Sequence, residues 1–236
     1  MLKIAPDIDW GFALVKGIPF KEKVLFWANC FLGRPYISNP LSEGEPSPRI
    51  RFDGFDCMTY VETILSLAIS EKSGLVLPNL DKIRYKNGEV SFHTRNHFVC
   101  ADWLENNSWL VNVADDFTDD KVTRTIDRAR FFSDKGNPNN SPIYLPTQIS
   151  LDYKRKENFS GEIPDNLIPS VALFVGNEDW IIVAHMGLIF KENGKTILYH
   201  ASSKAGEVVK IAFSEYLASR PSLIGFSLLR IEPVVV

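Results

Sequence analysis

The stretch Arg51-Phe-Asp-Gly-Phe-Asp-Cys57-Met-Thr-Tyr-Val-Glu62-Thr-Ile-Leu-Ser-Leu-Ala-Ile69 decides how the chain is read. Asp53-Gly54 signals a turn. After it, apolar side chains recur at Met58, Val61, Ile64, Leu65, Ala68 and Ile69, which is the spacing of a helix with one face in a core. Asp56 is placed to cap that helix, which puts Cys57 in its first turn. Amide dipoles at a helix start favour thiolate over thiol, so the position suits a nucleophile. A free cysteine is also a common packing residue, and the rest of the chain has to separate the two roles.

Working outward, Phe20 to Leu32 reads as a helix stopped by Gly33. Residues 1–19 read as an irregular arm with a short helix at most. Residues 38–50 are rich in Ser, Pro, Glu and Gly and read as a candidate functional loop. Asn87-Gly88 signals a hairpin between short mixed runs. Residues 115–136 are charged, with a helix expected around Val122 to Phe132. In the last third, strands are expected at Ile149–Tyr153, Val171–Val175, Trp180–Phe190, Lys195–Ala201 and Gly225–Ile231, with a helical turn at Ser214–Ala218. Helices first and strands later imply an α+β layer fold, and no linker divides 1–236 into two cores.

A net charge of −3 argues against a nucleic-acid protein that works by phosphate neutralisation. No apolar run is long enough to span a membrane. Three cysteines at irregular spacing leave at least one outside any intrachain disulfide, and they match no zinc pattern. The chain has four histidines. Two of them, His185 and His200, fall on the strands that fold about Asn193-Gly194. That turn brings them within one or two rungs, roughly 5–8 Å apart on one face. A helix-start cysteine, a histidine base and a second polar group orienting the base form the logic of nucleophilic acyl transfer. Cys57 is therefore the expected nucleophile, His185 the base and His200 the orienting group. The Cys57 N–H would help hold the oxyanion. A metal reading is weaker, because no carboxylate stands at ligand spacing from either histidine. No cofactor is implied.

Leu32-Gly-Arg-Pro-Tyr36, Phe55-Asp56-Cys57-Met-Thr-Tyr-Val-Glu62, Arg84-Tyr85-Lys-Asn-Gly88, Arg95-Asn96-His97 with Asp102-Trp103, His185-Met-Gly-Leu-Ile and Tyr199-His200-Ala-Ser occur in this order. The set resembles the N-acetylmuramoyl-L-alanine amidase-like (AmiA-type) branch of the NlpC papain-like cysteine hydrolases, from about Phe20 to near the C-terminus. The resemblance implies a papain-like fold, with the nucleophile helix packed on an antiparallel sheet, and a peptidoglycan substrate cut at an amide bond. The lactyl–L-alanine bond comes first. The alternatives are the bond between D-glutamate and the diamino acid, or acyl transfer or deamidation on another target. It implies that Tyr36 and Asp56 line the site. Arg95, Asn96 and His97 contact substrate or form a supporting loop network. Glu62, roughly 140° around the helix from Cys57, reads as structural. The chain lacks the Gly-Asp pair that many NlpC-like enzymes carry before the histidine strand and has Pro169-Ser170-Val171 there instead. The expected location is periplasmic or secreted with any signal removed, or else cytoplasmic.

Overall fold

The computed structural model describes residues 7–41, 49–134 and 145–232. Much of the expected loop 38–50 therefore lies outside the described residues. Helix α1 (Ile8–Leu14) takes up the expected arm, and its Phe12 packs on Trp27 at a centroid distance of 5.2 Å. Helix α2 (Phe20–Cys30) buries Val24, Trp27 and Ala28, and Gly33, at φ 73°, follows it. Helix α3 (Cys57–Ile69) is the helix read from the opening stretch. It is buried along most of its length, because α2 and α4 (Val76–Arg84) flank it and the sheet lies beneath.

Eight strands among the described residues form one sheet with antiparallel pairing throughout. They are β1 (Val111–Val113), β2 (Asp120–Ile126), β3 (Thr147–Arg155), β4 (Ser170–Gly176), β5 (Val183–Glu192), β6 (Lys195–Ser202), β7 (Glu207–Ala212) and β8 (Leu223–Ile231). The order is β2-β3-β8-β4-β5-β6-β7, with β1 also on β8. The fold is thus α+β, as expected. Strand β4 is buried at every residue because both of its faces are covered. One face, with Leu173, Met186, Leu188 and Tyr199, packs under α2 and α3. The other, with Phe174, Ile189, Leu198 and Phe226, packs under α7 (Phe213–Ala218).

Two sequence expectations are corrected. Asn87-Gly88 makes a tight turn, with φ of 57° and 72°, but no hairpin. It ends α4, whose Val76, Leu80 and Ile83 are buried at helical spacing, and only the isolated Tyr85–Arg95 bridge follows. A π-helical stretch, Val99–Trp103, then runs into the one-turn helix α5 (Leu104–Asn106). The helix expected around Val122 begins later, as α6 (Arg128–Asp134). Residues 120–126 are strand β2, where more and less exposed side chains alternate toward buried Ile126. The β-branched Val122, Thr123, Thr125 and Ile126 fit that pleated surface better than a helix.

Candidate active site

Cys57 is placed by a reciprocal cap. The Asp56 carboxylate accepts from the Thr59 amide at 2.8 Å, and the Asp56 amide donates to the Thr59 hydroxyl at 3.1 Å. Thr59 takes the role that Glu or Gln fills in the usual box. The approach to the cap is also fixed. Tyr36 bridges Phe55 in parallel, with Ile37 N–H donating to Phe55 O and Phe55 N–H donating to Pro35 O. A Cβ on Gly54 would lie 2.8 Å from Pro35 O, so only glycine lets these segments meet so closely.

The sulfur end of α3 meets β5. The β5–β6 ladder runs from Glu192↔Lys195 to Leu188↔Tyr199 and goes no further. Beyond it, the Met186 backbone N–H faces the Cys57 sulfur and favours its thiolate. His185, the preceding residue, points its ring away from the Met186 side chain and toward Tyr216, whose hydroxyl the Cys57 charge also reaches. The His185 ring lies 6.0 Å from Phe174 and 5.8 Å from Tyr216, stacked on the latter. His200 approaches it from β6, and its Nδ1 lies 2.7 Å from His185 Nε2. A Cβ at Gly187 would stand 3.0 Å from the His200 Cβ and 2.7 Å from Tyr199 O, so a glycine is required between the strands. The two imidazoles are directly bonded, closer than the strand geometry alone implied.

The electrostatics differ from the expectation at Cys57. Burial, with the neighbouring Asp56 charge second, pushes its thiol up to about 12, outweighing the amides of Met186, Met58 and Cys57 itself. Burial pushes His185 down to about 3, helped by the charges of His200 and Arg220. Burial and then Arg220 push His200 down to about 4. All three groups are therefore neutral at rest. The amide field of the helix start is present, but it does not outweigh the loss of solvent around a lone thiolate.

Two residues that the sequence reading passed over join this cluster. The Tyr216 ring lies 5.0 Å from His200, and its hydroxyl is raised to about 12 by burial, with the Cys57 charge contributing. Arg220 stands 5.2 Å from the Tyr216 ring centre. The one signal for Tyr216 was Phe213, Tyr216 and Leu217 at i, i+3 and i+4, which aims the phenol inward. Tyr36 lies within reach of the charges of both Cys57 and Asp56; burial first, then those charges, raise its hydroxyl.

Arg95, Asn96 and His97 gather elsewhere. Asn96 is 3% exposed, its side-chain amide donates to Ile83 O at 3.0 Å, and its backbone N–H donates to Arg84 O. His97 Nε2 lies 2.8 Å from Phe92 O, and its ring packs on Phe92, Phe131 and Phe132. Arg95 lines a cavity of about 520 Å³ with Lys86, His93, Asp102, Glu105 and Arg128. None of Cys57, His185 and His200 lines it. Its charge also reaches Glu62. Glu62 itself bonds Arg84 Nε at 2.7 Å, with both side chains 2% exposed. Among the described residues no group of three or more His, Cys, Asp or Glu could hold a metal.

The described residues define an α+β protein with a cysteine in the first turn of a buried helix and two directly bonded imidazoles on neighbouring strands of an antiparallel sheet. The chain belongs to the N-acetylmuramoyl-L-alanine amidase-like (AmiA-like) family, whose pattern it matches over residues 27–225. Protein LPG0564 from Legionella pneumophila is a similar structure, at 22% identity and a TM-score of 0.81, covering 97% of this chain and 94% of that one. An N-acetylmuramoyl-L-alanine amidase from Bacteroides uniformis matches at 23% identity and a TM-score of 0.78, covering 90% and 99%. A protein described as a putative xylanase from Bacteroides fragilis matches at 25% identity and 0.75, covering 87% and 99%. No match is found among curated proteins.

Proposed function

We propose that the chain is a cysteine amidohydrolase of peptidoglycan that cuts the amide between the lactyl group of N-acetylmuramic acid and L-alanine. In this reading it is a single papain-like domain of the NlpC type acting outside the cytoplasm. The observation that carries the reading is the seat of the Cys57 sulfur on the Met186 N–H, one residue from an imidazole already held by His200. Family membership and the amidase among the similar structures support the bond and the substrate.

In this mechanism His185 gives its Nε2 to the bond with His200, which leaves Nδ1 as the proton acceptor. Cys57 attacks the carbonyl carbon while its proton passes to His185 Nδ1. The His185 proton then goes to the departing amine, and water, activated by the same ring, hydrolyses the thioester. Burial disfavours a lone thiolate and a lone imidazolium alike. A proton moved between them creates both charges together, and their attraction offsets part of that cost. The thiol is thus activated by transfer during the reaction and stays protonated at rest. The backbone N–H of Cys57, at the helix start, is the oxyanion donor. Tyr36 walls the site beside Cys57.

Digestion of purified peptidoglycan followed by mass spectrometry of the products tests this reading. Free stem peptides beginning with L-alanine are expected. Fragments cut after D-glutamate would move the activity to the endopeptidase bond, and no fragments at all would overturn peptidoglycan as substrate.

A further inference from the structure

Arg220 carries a charge that its neighbours leave unanswered. It lies half-buried between α7 and β8. Its guanidinium stands 5.2 Å from the centre of the Tyr216 ring, and its charge reaches the Tyr216 hydroxyl. Tyr216 in turn packs against both His185 and His200. One aromatic ring therefore separates a cation from the imidazole pair. Arg84, Arg128 and Arg155 have the carboxylate partners Glu62, Asp102 and Asp120, and Arg124 spends its guanidinium on the Ile181 and Gly176 carbonyls. Among the described residues no carboxylate pairs with Arg220. An arginine fork with spare donors, fixed in place and without a counter-ion, is suited to bidentate capture of a carboxylate.

We infer that Arg220 is an anion-binding subsite, receiving a carboxylate of the substrate beside the His185–His200 pair. The inference rests on the reading of Cys57 and His185 as the reacting groups. It adds a function for the subsite. The Arg220 charge opposes protonation of both rings. A bound carboxylate cancels that charge and favours the imidazolium, so a substrate with its acid in place assists the proton transfer from Cys57. A neutral analogue of the same shape would forgo both the contact and the assistance.

Two thiol reagents of nearly equal size read this directly, namely anionic iodoacetate and neutral iodoacetamide. Alkylation at Cys57 is followed by peptide mass spectrometry near neutral pH, and the iodoacetate-to-iodoacetamide rate ratio is divided by that of a small-molecule thiol. The expected ratio at Cys57 is about tenfold above the free thiol, the range of one charge-assisted hydrogen bond. Arg220→Gln should remove the preference and Arg220→Lys should keep part of it. Cys57 labelling with no anion preference in the unmodified protein overturns the Arg220 assignment alone. The same holds for a preference that Arg220→Gln leaves intact in a folded protein. Absence of labelling by either reagent overturns the cysteine reading, and the inference with it. Should Arg220→Gln fail to fold, the ratio in the unmodified protein still decides.

Discussion

The Cys57 cluster and the Arg95–His97 region are both built from motif residues, but they differ in what their polar groups are bound to. Around Asn96 every contact goes to the scaffold, the side-chain amide to Ile83 O and the backbone N–H to Arg84 O. Nearby, the buried Glu62–Arg84 pair also ties down the chain before the nucleophile, because Arg84 Nη1 donates to Arg49 O at 2.6 Å. In the Cys57 cluster the two imidazoles bond each other, the thiol faces a β5 amide, and all three groups are held neutral where a proton can still move. A polar group saturated by backbone contributes mainly to shape. A group kept neutral in a low dielectric, beside a partner that can take its proton, stays available for chemistry.

The comparison breaks most sharply on turnover. Cys57→Ala should lower peptidoglycan cleavage by at least about 10⁴-fold, as loss of a nucleophile does elsewhere, while thermal melting changes little. Unchanged cleavage would dissolve the distinction between the two regions. Glu62→Gln should do the reverse. It leaves the Arg84 charge buried without its partner, which costs about 3–5 kcal/mol of stability in a denaturant titration. Folded molecules of this variant should still label at Cys57. Asn96→Ala follows, with about 0.5–1.5 kcal/mol lost with its bond to Ile83 O, an oxygen that the Asn107 side-chain amide also reaches at 2.9 Å. A selective collapse of turnover in Asn96→Ala, with stability intact, would instead make Asn96 a substrate contact.

The same contrast explains what the sequence made legible. Asn87-Gly88 and Asn193-Gly194 adopt nearly the same left-handed turn, with φ of 57° and 72° against 49° and 77°. The second joins two strands and the first closes a helix. The dipeptide specifies the reversal, and the apolar period on either side specifies what is reversed. The α3 cap was readable because Asp56, Cys57 and Thr59 are local in sequence. The His185–His200 approach was readable because a tight hairpin sets its register. Tyr216 and Arg220 were not readable, since they meet the imidazoles through sheet packing and a short helix with no strong period of its own. The neutral state of Cys57 was not readable either. It depends on how completely the surrounding fold removes water, and the helix cap alone points the other way.

The smallest effect is one of pH, and its sign follows from the buried pair. His185 and His200 titrate near 6.5 when unfolded, but burial depresses them to about 3 and about 4 in the folded protein. Between pH 6.5 and about 4 the unfolded chain thus binds more protons than the native one. Stability rises with pH across that window and is lost as the pH falls through it. Each histidine contributes a slope of at most about 1.4 kcal/mol per pH unit. His200→Gln, whose amide can still bond His185, should flatten the curve by about 1 kcal/mol per unit between pH 6 and pH 5, as read from denaturant midpoints. In the other region, Asn96→Ala should lower stability equally at both pH values, because the bond it removes has no proton to exchange. A His200→Gln curve parallel to that of the unmodified protein would mean that His200 is already charged in the native state, and the neutral character that separates the two regions would then be lost.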